Sequence, residues 1–300
     1  MADLKAYRAT DLERLNGFIN LVRGDSDSPR ASDVGYLGDC LGQPGWNIED
    51  NCQLLMVSES LAGYIHVVPE LPIGRIVMDA AVHPDFRRRG FGKRLLTWGI
   101  NRGLELGVKL AHIGIGEDAP AAATLLEQQG FIPLRRYWEL HWEGSIPEYT
   151  LPSGASSRSF RHGDASLLAD VQNAAFDGQW GYSPNSVEDV EYKVQMQRVS
   201  HAGILFLVVG SDTAGFCWTR IDGPPGNQIG VIGMVGVRPE FRRGGMGRAI
   251  LLAGMDYLTQ QGVKAVELSV DSDNAPAREM YLNLGYRKVG GMIWYERALT

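Results

Sequence analysis

The feature that most restricts this chain is that it repeats itself. VHPDFRRRGFGKRLL, beginning at Val82, and VRPEFRRGGMGRAIL, beginning at Val237, align without gaps, and eight of their fifteen positions are identical. The offset of 155 residues persists downstream, where Gly107-Val108-Lys109 matches Gly262-Val263-Lys264 and Gly130 matches Gly285. A register held over roughly fifty residues means one supersecondary unit built twice. The 300 residues exceed what one ordinary core needs and suffice for two.

Each copy reads as helix, β-hairpin, then strand, helix, strand, helix, strand. CQLLMVSESLAGYIHVV and GILFLVVGSDTAGFCWTRI are β-rich runs broken by small polar residues and glycine. IGRIVMDAAV and IGVIGMVGV are apolar strands that stop just before a proline step. GKRLLTWGINRGLEL and GRAILLAGMDYLTQQ then start as helices directly after glycines, and the following helices end at Gly130 and Gly285, natural C-caps. Glu143 to Ser157, rich in proline, glycine and serine, reads as a linker. The expected architecture is α/β (α+β), with domains over residues 1–145 and 158–300. Each is a mixed, mainly antiparallel sheet flanked by helices.

In both copies the strand runs into Arg-x-x-Gly-x-Gly and straight into a helix. Glycines let backbone N–H groups converge on an anion, and a helix N-terminus adds unpaired donors and partial positive charge. Arg242, Arg243 and Arg248 supply cations beside Gly244, Gly245, Met246 and Gly247. The N-terminal loop has Arg87, Arg88, Arg89 and Lys93 around Gly90, Phe91 and Gly92, after Val82. These features suit a diphosphate. A dinucleotide fingerprint fails, because Leu95 and Ile250 stand where its third glycine belongs. A Walker loop fails because Gly92-Lys93 is followed by Arg94.

A net charge of −6 argues against nucleic acid as the main partner. No apolar run reaches the roughly 18 residues that span a bilayer, and the first residues carry scattered charge without an apolar core, so no membrane partner and a cytoplasmic home are expected. Cys40, Cys52 and Cys217 have no paired spacing, and the six histidines are dispersed, so neither a disulfide framework nor a metal site is expected. A monomer or homodimer fits such a chain.

The loop from Val235 to Ile250, together with SVDSDNAPAREMYLNLGY, resembles the GNAT acetyltransferase superfamily, and counting both halves the resemblance spans nearly the whole chain. Tandem halves with GFCWT in the second hairpin are similar, within it, to mycothiol synthase-like proteins. The resemblance implies acetyl-CoA as the donor. Free backbone groups of Met234, Val235 and Val237 would pair with the pantetheine arm, and Asn274 would hydrogen-bond it, although a helix N-cap explains that asparagine equally well. Tyr281, seven residues on, stands where the family has its general acid. Many members carry a base Glu six residues ahead of the Val-x-Pro step; Val231 stands there, with Ile76 as its N-terminal counterpart.

Acyl transfer to an amine requires a neutral amine, a polarised thioester and a protonated leaving group. Water, Asp222, Asp271 and Glu267 remain open as routes for the amine proton, and Cys217 between Phe216 and Trp218 reads as packing rather than a nucleophile. Residues 176–192 are expected to shape an acceptor site. The N-terminal half lacks the chemistry, since Leu126 and Ala119 stand at the offset positions of Tyr281 and Asn274, and Asp79 is its remaining strand acid. The expected activity is acetyl transfer from acetyl-CoA to a primary amine of a small molecule, by direct attack in a ternary complex. The alternatives are a non-catalytic acyl-CoA sensor and a protein or peptide acetyltransferase. A pure sensor needs no phenol at position 281.

Overall fold

The computed structural model describes residues 2–24 and 31–299. In chain order the first repeat forms β1 (Ala2–Ala6), α1 (Leu12–Arg23), α2 (Val34–Leu41), α3 (Ile48–Asn51), β2 (Cys52–Val57), β3 (Ser60–Glu70), β4 (Arg75–Val82), α4 (Phe91–Glu105), β5 (Leu110–Gly116), α5 (Pro120–Gln128) and β6 (Ile132–Glu143). The second forms β7 (Ala155–Ser159), α6 (Ala165–Phe176), α7 (Val187–Lys193), β8 (Val199–Val209), β9 (Asp212–Asp222), β10 (Ile229–Val237), α8 (Met246–Gln260), β11 (Ala265–Asp271), α9 (Ala275–Asn283) and β12 (Arg287–Ala298). Both hairpins, both glycine-started helices and both glycine-ended helices fall where the patterning puts them. No helix of the described residues is long and apolar enough to cross a membrane.

By contacts the chain divides into two units. The first comprises Met1–Trp138, Asp271–Asp273 and Gly290–Thr300; the second comprises Glu139–Val270 and Asn274–Val289. In the first, β1 to β4 form an antiparallel meander, β5 joins β4 in parallel, and β12, from the end of the chain, lies antiparallel on β5 from Met292↔Gly116 to Ala298↔Leu110. The second has the same plan: β7 to β10 are antiparallel, β11 joins β10 in parallel, and residues 139–143 of β6 belong with it. Each unit is thus completed by the strand that ends the other repeat.

Burial explains why the last strand stays. Tyr295 and Leu299 are buried in the first unit's core with Ile76, Met78, Leu95 and Phe131. Leu299→Ala, one residue from the chain end, should therefore destabilise the first unit by about 2–4 kcal/mol. The check is amide hydrogen exchange, which should quicken in β4 and β5. Faster exchange confined to β10 and β11 would contradict the assignment.

Candidate functional site

The two repeats differ most where the strand meets the loop. In the first unit β4 pairs with β3 without a break, from Gly63↔Val82 to Glu70↔Arg75. In the second unit Ile232 pairs with Thr219 and Met234 with Trp218, so Gly233 is left over as a β-bulge. This insertion shifts the repeat by one residue upstream of the bulge. Val77 faces His112 across β4 and β5, and Val231 faces Glu267 across β10 and β11, so the counterpart of Val231 is Val77 and not Ile76.

The bulge coincides with an opening. β10 pairs with β11 only through Gly230↔Val266 and Val231↔Glu267, although β10 runs on to Val237. Met234, Val235 and Val237 therefore lie past the last parallel pair, on a backbone edge without a ladder partner on that side. In the first unit four pairs hold β4 to β5, up to Met78↔Ile113. A strand edge left unpaired inside a sheet is a ready partner for an amide-bearing chain, and the pantetheine arm is one.

Past β10 the loop turns through two left-handed residues into α8. Arg243 and Gly245 have positive φ, 70° and 76°, and Arg88 and Gly90 repeat this at 63° and 79°. Gly245 is the N-cap of α8 and offers no side chain to the first helical N–H groups, so those of Met246, Gly247 and Arg248 remain for a ligand. Arg243, Gly244, Gly245 and Arg248 are exposed. Arg242 is also exposed, but its guanidinium donates to the carbonyls of Val237 (3.1 Å) and Ala175 (2.8 Å) and so braces the loop against α6. Arg87 makes the matching bond to Val82 (3.2 Å), and Arg89 is turned to the Asp85 carbonyl (3.0 Å). Phe91, Gly92 and exposed Lys93 open α4.

The two loops differ at their second glycine. A Cβ on Gly92 would meet Leu125 Cδ2 at 2.7 Å, whereas on Gly247 its nearest neighbour would be Val237 Cγ2 at 3.9 Å. A leucine tip crowds the second glycine of the first loop, while Gly90 and Gly245, which open the two helices, both have nothing within 4 Å of a Cβ.

Beside the opening, apolar residues of one repeat become polar in the other. Ile65, Leu126 and Phe131 are buried in the first unit, and Cys217, Tyr281 and Tyr286 are buried in the second. Ile65 and Cys217 are matched by their helix partners, since Gly99 of α4 faces Ile65 and Gly254 of α8 faces Cys217. Tyr281 and Tyr286 pack edge to face with centroids 5.7 Å apart. Burial, and secondarily Cys217, pushes the Tyr281 phenol well above its ordinary range, so it stays protonated at neutral pH and is equipped as a donor. The Tyr286 hydroxyl is buried with no hydrogen-bond partner among the described residues. Cys217 is fully buried against Gly254 of α8, and burial pushes its thiol up to about 12, which disfavours the thiolate.

Asn274 is the N-cap of α9, its Oδ1 accepting from the Ala277 N–H (3.3 Å), which leaves its exposed amide NH2 to donate. The candidate acids separate sharply. Asp222 is buried between Arg198 (3.3 Å) and Arg220 (3.1 Å). Asp271 closes a turn onto the Asp273 N–H (2.9 Å) and counts with the first unit. Glu267 bonds the His141 imidazole at 2.9 Å, a contact between residues 126 apart that sequence spacing gave no reason to suspect. Between α6 and α7, Asn173 accepts from the Tyr182 hydroxyl (2.7 Å) and the Asn185 N–H (2.9 Å), and Phe176 stacks on Tyr182, so this aromatic segment is held in place.

The Acetyltransferase (GNAT) family matches the sequence over residues 16–131 and 170–286. The chain is 35% identical over 238 residues to a mycothiol acetyltransferase of Pseudarthrobacter chlorophenolicus, covering 77% of this chain and 72% of that one. It is 30% identical to the mycothiol acetyltransferase of Actinosynnema mirum over 301 residues, 98% of this chain and 99% of the relative. Among solved structures, a tandem GNAT protein from the clavulanic acid biosynthesis pathway superposes with a TM-score of 0.76 at 16% identity, covering 100% of this chain and 99% of that one.

Proposed function

This chain belongs to the Acetyltransferase (GNAT) family and is an N-acetyltransferase, and we propose that its second unit carries the reaction, moving an acetyl group from acetyl-CoA to a primary amine of a small molecule. The observation that carries this reading is the contrast between the repeats. Among the described residues only the second combines a bulge in the strand before the loop, an early-parting edge, an uncrowded second glycine and, at position 281, a phenol where the first has Leu126.

The residues fit the donor. The N–H groups opening α8 and the Arg243 and Arg248 side chains take the diphosphate, the edge of Met234, Val235 and Val237 takes the amides of the arm, and Asn274 donates to the same arm. Acetyl-CoA supplies a thioester carbonyl and a thiolate leaving group. Tyr281 protonates the departing sulfur, and the segment around Phe176 and Tyr182 borders the acceptor. Both substrates sit in the site together, and no residue is acylated, in keeping with the buried Cys217. The relatives named for mycothiol make its deacetylated form one candidate acceptor.

The test is a panel of deacetylated mycothiol, D-glucosamine, L-alaninamide, 2-phenylethylamine and spermidine with acetyl-CoA, the product read by mass spectrometry. An acetylated amine with a sequential kinetic pattern is expected. A ping-pong pattern would defeat the ternary complex, and acetyl-CoA binding without any acetylated product would favour a sensor.

A further inference from the structure

The second unit lacks a carboxylate at the strand position where a base is expected, since Val231 stands there. The neighbouring strand provides one. Glu267 of β11 is the residue directly paired with Val231, and paired residues of adjacent strands project to the same face. It is the last pair before β10 and β11 part, so its carboxylate stands at the mouth of the opening. Its Oε1 is 2.9 Å from Nδ1 of His141, and Nε2 of His141 is 3.1 Å from Oε1 of Glu143. Glu267 and His141 are equally buried, at 15% and 14% relative exposure, and Glu143 is open to solvent at 57%. The hydrogen bond from His141 holds the Glu143 carboxyl below its usual range, which favours its ionised form at the outer end.

The first unit shows what a merely structural version of this pair looks like. There the polarity is reversed: His112 is on β5, and Glu296, on β12, lies 2.7 Å from its Nε2. Nδ1 of His112 is taken by Arg75 at 3.0 Å, and Arg75 is itself paired with Glu70. That network is sealed, with His112 only 2% exposed. In the second unit the cations come from elsewhere: Arg220 of β9, paired with Val231 and so on the face of Glu267, bonds Asp222 at 3.1 Å, and Arg287 lies 3.5 Å from Glu143 at the outer end.

We propose that Glu267 is the proton acceptor for the amine and that His141 and Glu143 pass the proton to solvent; this rests on the second unit being the acetyltransferase. The ammonium gives one proton to Glu267 and the relay releases it. The neutral nitrogen forms the C–N bond, the C–S bond breaks, and sulfur takes the Tyr281 phenol proton. The second proton leaves the nitrogen as the amide forms and restores the phenol through water, so one proton is released per turnover.

The experiment compares Glu267→Gln, Glu267→Asp, His141→Asn and Gly245→Glu in the full chain, using acetyl-CoA and the best amine of the panel above. Glu267→Gln should lower kcat about 10²-fold or more with the KM for acetyl-CoA unchanged, and its kcat/KM should rise with pH as free amine replaces ammonium. Glu267→Asp should recover part of the rate, and His141→Asn should cost less than Glu267→Gln. A readout independent of turnover is calorimetry of amine binding without acetyl-CoA in buffers of differing ionisation enthalpy: proton release in the wild type should vanish in Glu267→Gln. Wild-type kcat in Glu267→Gln, or in His141→Asn if the glutamine variant does not fold, overturns the relay provided Gly245→Glu is inactive. If Gly245→Glu is active, the reading of the second unit is what fails.

Discussion

Gly245→Glu should abolish acetyl transfer, while Gly90→Glu should keep most of it. Gly245 holds φ at +76°, a conformation costing an ordinary L-residue about 1 kcal/mol or more. The greater loss is electrostatic. A carboxylate at the mouth of α8 competes for the N–H groups that take the diphosphate and repels its charge. Losing two charge-assisted hydrogen bonds at about 1.5 kcal/mol each already weakens binding by about a hundredfold. Gly90→Glu imposes the same strain at a φ of +79° and the same charge at a helix N-terminus, so it controls for folding. The first loop already has Leu125 above Gly92, and the first unit has Leu126 where the phenol belongs. Acetyl-CoA affinity by calorimetry and initial rates for both variants decide the matter. The reverse outcome would put the active site in the first unit.

Tyr281→Phe should lower kcat by about 10² or more and leave acetyl-CoA affinity within a few-fold of the wild type. The substitution removes one oxygen and keeps the ring, so the edge-to-face packing on Tyr286 and the burial in α9 persist. Any loss of rate is then a loss of proton donation rather than of structure, and an unchanged melting temperature is the control. Because the phenol is raised by burial, wild-type turnover should show no alkaline fall due to its ionisation up to the ordinary tyrosine range of about 10. An unaltered kcat in Tyr281→Phe would remove this residue from the reaction.

Much of this was legible in the sequence because it is local. Where a hairpin turns, where a helix starts after Gly90 or Gly245, and where it stops at Gly130 or Gly285 depend on residues within a few positions of one another. A duplicated local pattern therefore reveals a duplicated fold. The spacing of Asn274 and Tyr281 is likewise local, set by one cap and one short helix.

Tertiary structure decided the rest. The bulge at Gly233 is a choice between two registers against β9, and the repeat alone pointed to an unbroken offset. Arg242 faced two fates, ligand or brace, and the Ala175 carbonyl, 67 residues away, took it as a brace. That β12 completes the first unit, and that His141 meets Glu267, depends on which strand buries its apolar face beside β5 or β11. Cross-strand partners are chosen by burial and charge between segments that have no fixed separation in sequence, so spacing carries no trace of them.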